Sequence, residues 1–273
     1  VPAPVLIGGP LPYIDVLRQP THSLPARLSP SLRQKDPNFI TALYDFLKGP
    51  AREDRLGPER ACAQGWITVP AMKKGILITT LLATCCGLCL LIYSGWEMIP
   101  VGLACILFAF LYTAGPYPLA YHGWGDVLVL VFFGFVPVGC TYYVMGHGWN
   151  TAVTMGSLAC GLTIDTLLMV NNFRDRDQDR QSGKKTLVVR LGAKAGLILY
   201  FLLGLVACWC CFYFIGLGKP LAAILPQIYL LPHILTTMKM ARIHQGKALN
   251  AILGETSRNI LIFGMLLTIG LAL

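Results

Sequence analysis

The chain has 273 residues, 55% of them apolar and 13% charged, with 22 basic against 13 acidic side chains and a formal net charge of +9. A soluble domain carries about 25% charged residues, so a share this low, with a mean hydropathy of +0.61, excludes a soluble enzyme, a secreted disulfide scaffold and a disordered tail. A bilayer span uses about 20 apolar residues, so the chain has apolar side chains for about seven spans, and its positive charge reports basic loops at an anionic membrane surface, with no nucleic acid as partner.

In chain order, residues 1–17 are apolar but interrupted by Pro2, Pro4, Pro10 and Pro12. No basic segment precedes them, so the expectation is a chain without a leading signal peptide and with a trimmed N-terminus. Residues 17–38 carry Pro20, Pro25, Pro30 and Pro37 among Arg18, Arg27, Arg33 and Lys35, and neither stretch reads as a regular spanning helix. A charged segment follows from Asp45 to Arg60. Spans are then expected at 75–93, 98–114, 126–146, 150–172, 195–216, 220–238 and 258–273.

Of the 18 lysines and arginines from Lys48 onward, 17 fall within 48–74, 174–194 and 239–258. Counting crossings places all three segments on one side, with Glu97 and Lys219 in the opposite connections. The positive-inside rule makes the basic side cytoplasmic. The expected fold is all-α, a polytopic membrane helical bundle in one domain over 1–273, with 1–42 atypical or damaged. Nine of the ten cysteines sit inside apolar runs, where cysteine packs as a small hydrophobe. Cys86 and Cys89 have redox spacing, but no second pair or nearby histidine supports them.

Chemistry concentrates at 171–187, directly after the fourth expected span. If that helix continues, Asp175 and Asp179 stand at i and i+4 on one face. Such a pair repels unless a cation intervenes, and Mg²⁺ takes one or two carboxylates while completing its shell with phosphate oxygens. Asp177 points to another face. Arg174, Arg180, Lys184 and Lys185 supply cations for a diphosphate. An ordinary basic loop with solubilising acids is the bland alternative, weakened by Asp165, a carboxylate inside a span, seven residues before Asn172 on the same face. A helix-packing hydrogen bond remains open for Asp165. The segment with Asp45, Arg55 and Arg60 lies on the same side, and so does Tyr112 to Tyr121, whose rings either anchor at the interface or stabilise a carbocation.

The run from Asn171 to Leu187 (NNFRDRDQDRQSGKKTL) resembles the second aspartate motif of the intramembrane aromatic prenyltransferases, and within them the 1,4-dihydroxy-2-naphthoate polyprenyltransferases of menaquinone synthesis. EDRLGPERACAQGW from Glu53, YTAGPYPLAYHGWGD from Tyr112 and GKALNAILGET from Gly246 resemble the same subfamily. The resemblance implies about nine helices around a cavity with both aspartate motifs at its cytoplasmic mouth, in a bacterial cytoplasmic membrane. It implies Mg²⁺ on Asp175, Asp179 and Asp45. It implies substrate contacts at Asn171, Asn172, Arg174, Arg180, Lys184, Arg55, Arg60, Tyr112 and Tyr121, for polyprenyl diphosphate and 1,4-dihydroxy-2-naphthoate. The first motif departs from the pattern, since Thr41 and Ala42 stand where the family has Asn-Asp, and Ala51 replaces a later aspartate. That fits a compensated frameshift, a sequence error or a decayed copy. A non-catalytic relative and, from Asp165, a membrane transporter are the competing readings.

The charge division generates a topological expectation. A reporter fused within 183–190 should be cytoplasmic and one fused near Gly218 should be on the opposite face; both on one side would overturn the crossing count.

Overall fold

The computed structural model describes Leu56 and residues 66–113, 116–146 and 148–273. Asp45, Arg55, Arg60 and the atypical 1–42 stretch lie outside the described residues. Every regular element described is helical. Helix α1 (Val69–Ser94) and α2 (Met98–Thr113) come first, followed by a 3₁₀ turn at Leu119–Tyr121. Span α3 (Gly125–Met145) contains a π-helical segment, Leu130–Phe135. Then come α4 (Thr151–Gln181), the short α5 (Leu187–Leu191), and α6 (Ala193–Leu217), whose end tightens to 3₁₀ at Cys211–Leu217. Span α7 (Pro220–Ile243) has a 3₁₀ stretch at Leu225–Tyr229, and α8 (Leu249–Ala272) closes the chain.

Among the described residues six helices, α1, α3, α4, α6, α7 and α8, are long and apolar enough to cross a membrane, and α2 is apolar but shorter. The seven expected spans are therefore six plus one short helix. The first begins at Val69 and the last at Leu249, several residues earlier than the apolar runs indicate. Both extensions carry charge, Lys73 and Lys74 on α1 and Glu255 on α8, as expected where a helix leaves the apolar layer.

Helix α4 is central: 67% of its apolar window is buried, against 18–39% for the other spans. It touches α3, α5, α6 and α8. Its N-terminus is capped by Asn150, whose side chain accepts from the Val153 amide at 2.9 Å. The half toward Asn150 packs Val153, Cys160 and Ile164 with Val138, Cys208, Phe214 and Phe263. The other half packs Met169, Val170 and Phe173 with Val188, Tyr200, Met240 and Leu249. Cys160, Cys208 and Cys211 are fully buried free thiols, used as apolar filler.

Helices in lipid gain little from hiding apolar surface, so their association rests on close packing and interhelical hydrogen bonds. Both devices are present. At the π segment of α3, Gly134 lies so near α4 that a Cβ there would stand 2.6 Å from the Ser157 carbonyl and 2.7 Å from the Gly161 Cα. Across α6, α7 and α8 runs a buried polar network around His233. The Tyr200 carbonyl can only accept, so His233 Nε2–H donates to it at 3.1 Å and Nδ1 accepts from the Tyr229 hydroxyl at 3.0 Å. Tyr200 Oη in turn meets Thr256 Oγ1 at 2.9 Å, and Asn259 donates to Thr236 at 3.0 Å.

A paired glycine test follows. Gly134→Ala drives a methyl group into backbone that cannot move aside and should cost about 1–3 kcal/mol. Gly254→Ala on α8 meets nothing within 4 Å and should be neutral or stabilising by about 0.5 kcal/mol. Thermal unfolding in detergent checks both, and equal melting shifts would refute the close-packing account.

Candidate functional site

No glycine or proline interrupts α4 between Gly161 and Gly183, so the helix runs unbroken from the apolar interior into the charged segment. It ends in a Schellman turn: Lys184 N donates to Asp179 O at 2.9 Å and Gly183 N to Arg180 O at 3.2 Å. Gly183 sits at φ +76°, the left-handed position this turn requires. The turn folds Lys184 back until its Nζ lies 3.2 Å from Asp179 Oδ1.

Asp175 and Asp179 share a face of α4, and each is held by a cation of the protein itself. Arg174 grips Asp175 with two donors, Nε to Oδ1 and Nη2 to Oδ2, both at 2.7 Å. Its third nitrogen donates to Asn250 Oδ1 at 2.8 Å, and the side chain is almost wholly buried. Asn250 also donates to the Leu56 carbonyl at 2.8 Å. Leu56, the one described residue of the Asp45–Arg60 charged segment, therefore stands at the same end of α4. Arg176, which the sequence did not single out, is buried and donates to the Phe173 and His244 carbonyls at 2.7 and 2.9 Å, tying α4 to the end of α7.

The other expected site residues that are described fall in four places. Arg180 is exposed and lies 3.7 Å from Asp177, itself exposed. Asn171 turns back onto its own helix and donates to Leu167 O at 3.1 Å. Tyr121 lies beneath Lys184, whose Nζ is 5.2 Å from its ring centre. Tyr112 and Asn172 line a small cavity with Asp126, Leu168 and Thr186. Lys185 N donates to the Tyr121 carbonyl at 2.8 Å, docking the Tyr112–Asp126 bend on the loop after α4.

Asp126 and Thr186 were missed as site residues. Asp126 opens α3, and its Oδ1 is buried without a hydrogen-bond partner among the described residues. Asp165 Oδ1 is in the same condition, and the two carboxylates lie within Coulombic reach of each other. The available signal for Asp126 was an acid at the very start of an apolar run. No group of three or more His, Cys, Asp or Glu side chains is gathered for a metal among the described residues. Two carboxylates one helical turn apart still fit a Mg²⁺ that keeps waters and takes phosphate oxygens.

Residues 43–267 match the UbiA prenyltransferase family. A protein of Escherichia coli (strain K12) named 1,4-dihydroxy-2-naphthoate octaprenyltransferase is 35% identical over 196 residues, covering 70% of this chain and 64% of that protein. One of the same name from Mycobacterium tuberculosis is 33% identical, with 63% of each chain covered. The UbiA prenyltransferase domain-containing protein 1 homolog of Drosophila melanogaster is 29% identical over 84% of this chain and 63% of its own length. The chain thus spans less than two thirds of each of these relatives. Among solved structures, a UbiA homolog from Archaeoglobus fulgidus bound to GPP and Mg²⁺ superposes with a TM-score of 0.59 at 14% identity, covering 99% of this chain and 96% of that one. A digeranylgeranylglyceryl phosphate synthase structure gives 0.58 at 17% identity, over 99% and 91%. At such identities the likeness is one of fold.

Proposed function

The chain belongs to the UbiA prenyltransferase family, and we propose that it moves a polyprenyl group from polyprenyl diphosphate to 1,4-dihydroxy-2-naphthoate, releasing diphosphate and CO₂ and giving demethylmenaquinone in its reduced, quinol form. The observation that carries this reading is the pair Asp175 and Asp179 on one face at the polar end of α4, each beside a cation. The naphthoate acceptor is supported by the relatives of that name at 33–35% identity.

In this proposal Asp175 and Asp179, with Asp45 of the first motif, hold Mg²⁺. Bound there, the metal supplies positive charge that offsets the charge growing on the leaving diphosphate. Arg174 spends its donors inside the protein, so its part is to fix the orientation of Asp175. Lys184 presents its ammonium to the anion beside Asp179, and Arg180, Arg55 and Arg60 add charge at the mouth. Tyr121 and Tyr112 offer ring faces near the path of an allylic cation. The prenyl tail remains in the bilayer, against the apolar outer faces of the spans. The basic end of α4 supports a mouth on the cytoplasmic side of a bacterial cytoplasmic membrane, by the positive-inside rule. A non-catalytic variant of this reading is favoured by Thr41 and Ala42 in the first motif; Mg²⁺-dependent turnover by the unaltered chain would exclude it.

Asp175→Asn and Asp179→Asn each remove a charge that an amide does not replace. Each should lower transfer at saturating Mg²⁺ by about 100-fold or more, while the elution profile and melting temperature in detergent stay close to those of the unaltered protein. Near-normal turnover in either variant would sink the assignment.

A further inference from the structure

Helix α4 carries one polar stripe with two ends. Asp165, Leu168, Asn172, Asp175 and Asp179 recur at helical spacing on one face. Asp175 and Asp179 are neutralised by cations at the mouth. Deeper in, Leu168 and Asn172 line the cavity with Tyr112, Asp126 and Thr186, and Asp165, only 4% exposed, lies one turn below. A Cβ added at Gly125 would stand 3.7 Å from the Tyr112 hydroxyl and 3.3 Å from Leu168, so the start of α3 closes directly on those side chains. Among the described residues no cation pairs with Asp126, and its buried Oδ1 is unsatisfied. A buried carboxylate oxygen without a partner is costly, and Asp126 is the one such residue that lines this cavity. Asn172 is three residues from Asp175, about 4.5 Å along the helix, so the cavity adjoins the carboxylate pair.

We propose that this cavity binds the ring hydroxyl of the aromatic acceptor and that Asp126 is its proton acceptor. The inference rests on the proposed prenyl transfer and names the acceptor subsite of that reaction. A carboxylate only accepts hydrogen bonds, so Asp126 selects a hydroxyl donor and turns the acceptor's own carboxylate away. Thr186 Oγ1 accepts from the Val189 amide at 3.3 Å, which leaves its hydroxyl hydrogen to donate. The step balances without an oxidant. The ring carbon bearing the carboxylate bonds to the first prenyl carbon while the allylic C–O bond breaks and its electron pair leaves on the diphosphate. The adjacent hydroxyl gives its proton to Asp126 and becomes a carbonyl. The adduct is a β-keto carboxylate: its bond to the carboxylate breaks, CO₂ departs, the released pair restores the aromatic ring, and Asp126 returns the proton to the oxygen.

The test reads binding, with the full chain in detergent and two probes that differ by one hydroxyl, 1-hydroxy-2-naphthoate and 2-naphthoate, followed by naphthalene fluorescence. The unaltered chain should prefer the hydroxylated probe about tenfold, the worth of a charge-assisted hydrogen bond. Asp126→Asn should reduce that preference to about twofold, whereas Asp126→Glu should keep most of it. In transfer assays Asp126→Asn should lower kcat about 100-fold with KM for polyprenyl diphosphate unchanged. An undiminished preference in Asp126→Asn, or none in the unaltered chain, overturns the subsite while leaving prenyl transfer standing. A chain that binds polyprenyl diphosphate but neither naphthoate overturns the naphthoate reading and the subsite together.

Discussion

A bilayer offers no solvent to a bare peptide group, so chemistry at its edge has to be carried on backbone that satisfies itself. In this protein α4 does so. Its 31 residues hold their hydrogen bonds from the interior to the charged mouth, and only an unbroken helix keeps Asp165, Asn172, Asp175 and Asp179 in one line. The charges that would fray such an end are compensated locally. Arg174 holds Asp175, Asp177 lies near Arg180, and Arg176 donates to two carbonyls. The Schellman turn at Gly183 then stops the helix and returns Lys184 to Asp179.

Burying arginine is expensive, and a buried ion pair adds little net stability. Arg174 and Arg176 are 3% and 6% exposed, so their value lies in geometry. Arg174 connects Asp175 to Asn250, and through Asn250 to the Leu56 carbonyl, joining α4, α8 and the charged segment of the N-terminal half in one hydrogen-bonded chain. A lysine at this position would keep the charge but lose the planar fork that makes these contacts at once. The interior works differently: His233, Tyr200, Tyr229 and Thr256 are neutral groups that satisfy one another and lock α6, α7 and α8 around the apolar half of α4.

The helical class, the central span and its continuation through Asp179 were legible in the sequence because apolar run length and charge placement are properties of single segments. The ends of α1 and α8 were not, since lysines or a glutamate at a helix terminus look the same to composition as a loop. The π segment in α3 leaves no periodic mark; what requires it is the approach of Gly134 to Gly161, which is visible only when both helices are in place. Asp126 is not singled out by the sequence, because what sets it apart is the cavity it shares with Tyr112, Leu168 and Asn172, which belong to other elements. The Arg174–Asp175 grip was hidden for a related reason: adjacent opposite charges usually point apart, and burial against Asn250 is what turns the guanidinium back.

Three consecutive residues after α4 bind the mouth to the cavity. Lys184 reaches Asp179 and lies over the Tyr121 ring, Lys185 donates its amide to the Tyr121 carbonyl, and Thr186 lines the cavity beside Asp126 while capping α5. Arg190, one turn further, donates to the His122 carbonyl at 3.0 Å. The aromatic bend therefore cannot shift relative to the second aspartate pair without breaking several of these bonds together. A transfer reaction needs its two reacting groups held in register, because misplacement by about 1 Å can cost on the order of 100-fold in rate. In the proposed transfer that register would rest on the loop that follows the carboxylates. These bonds tie the carboxylate pair to the acid-lined cavity, and both rest on the packed rod of α4.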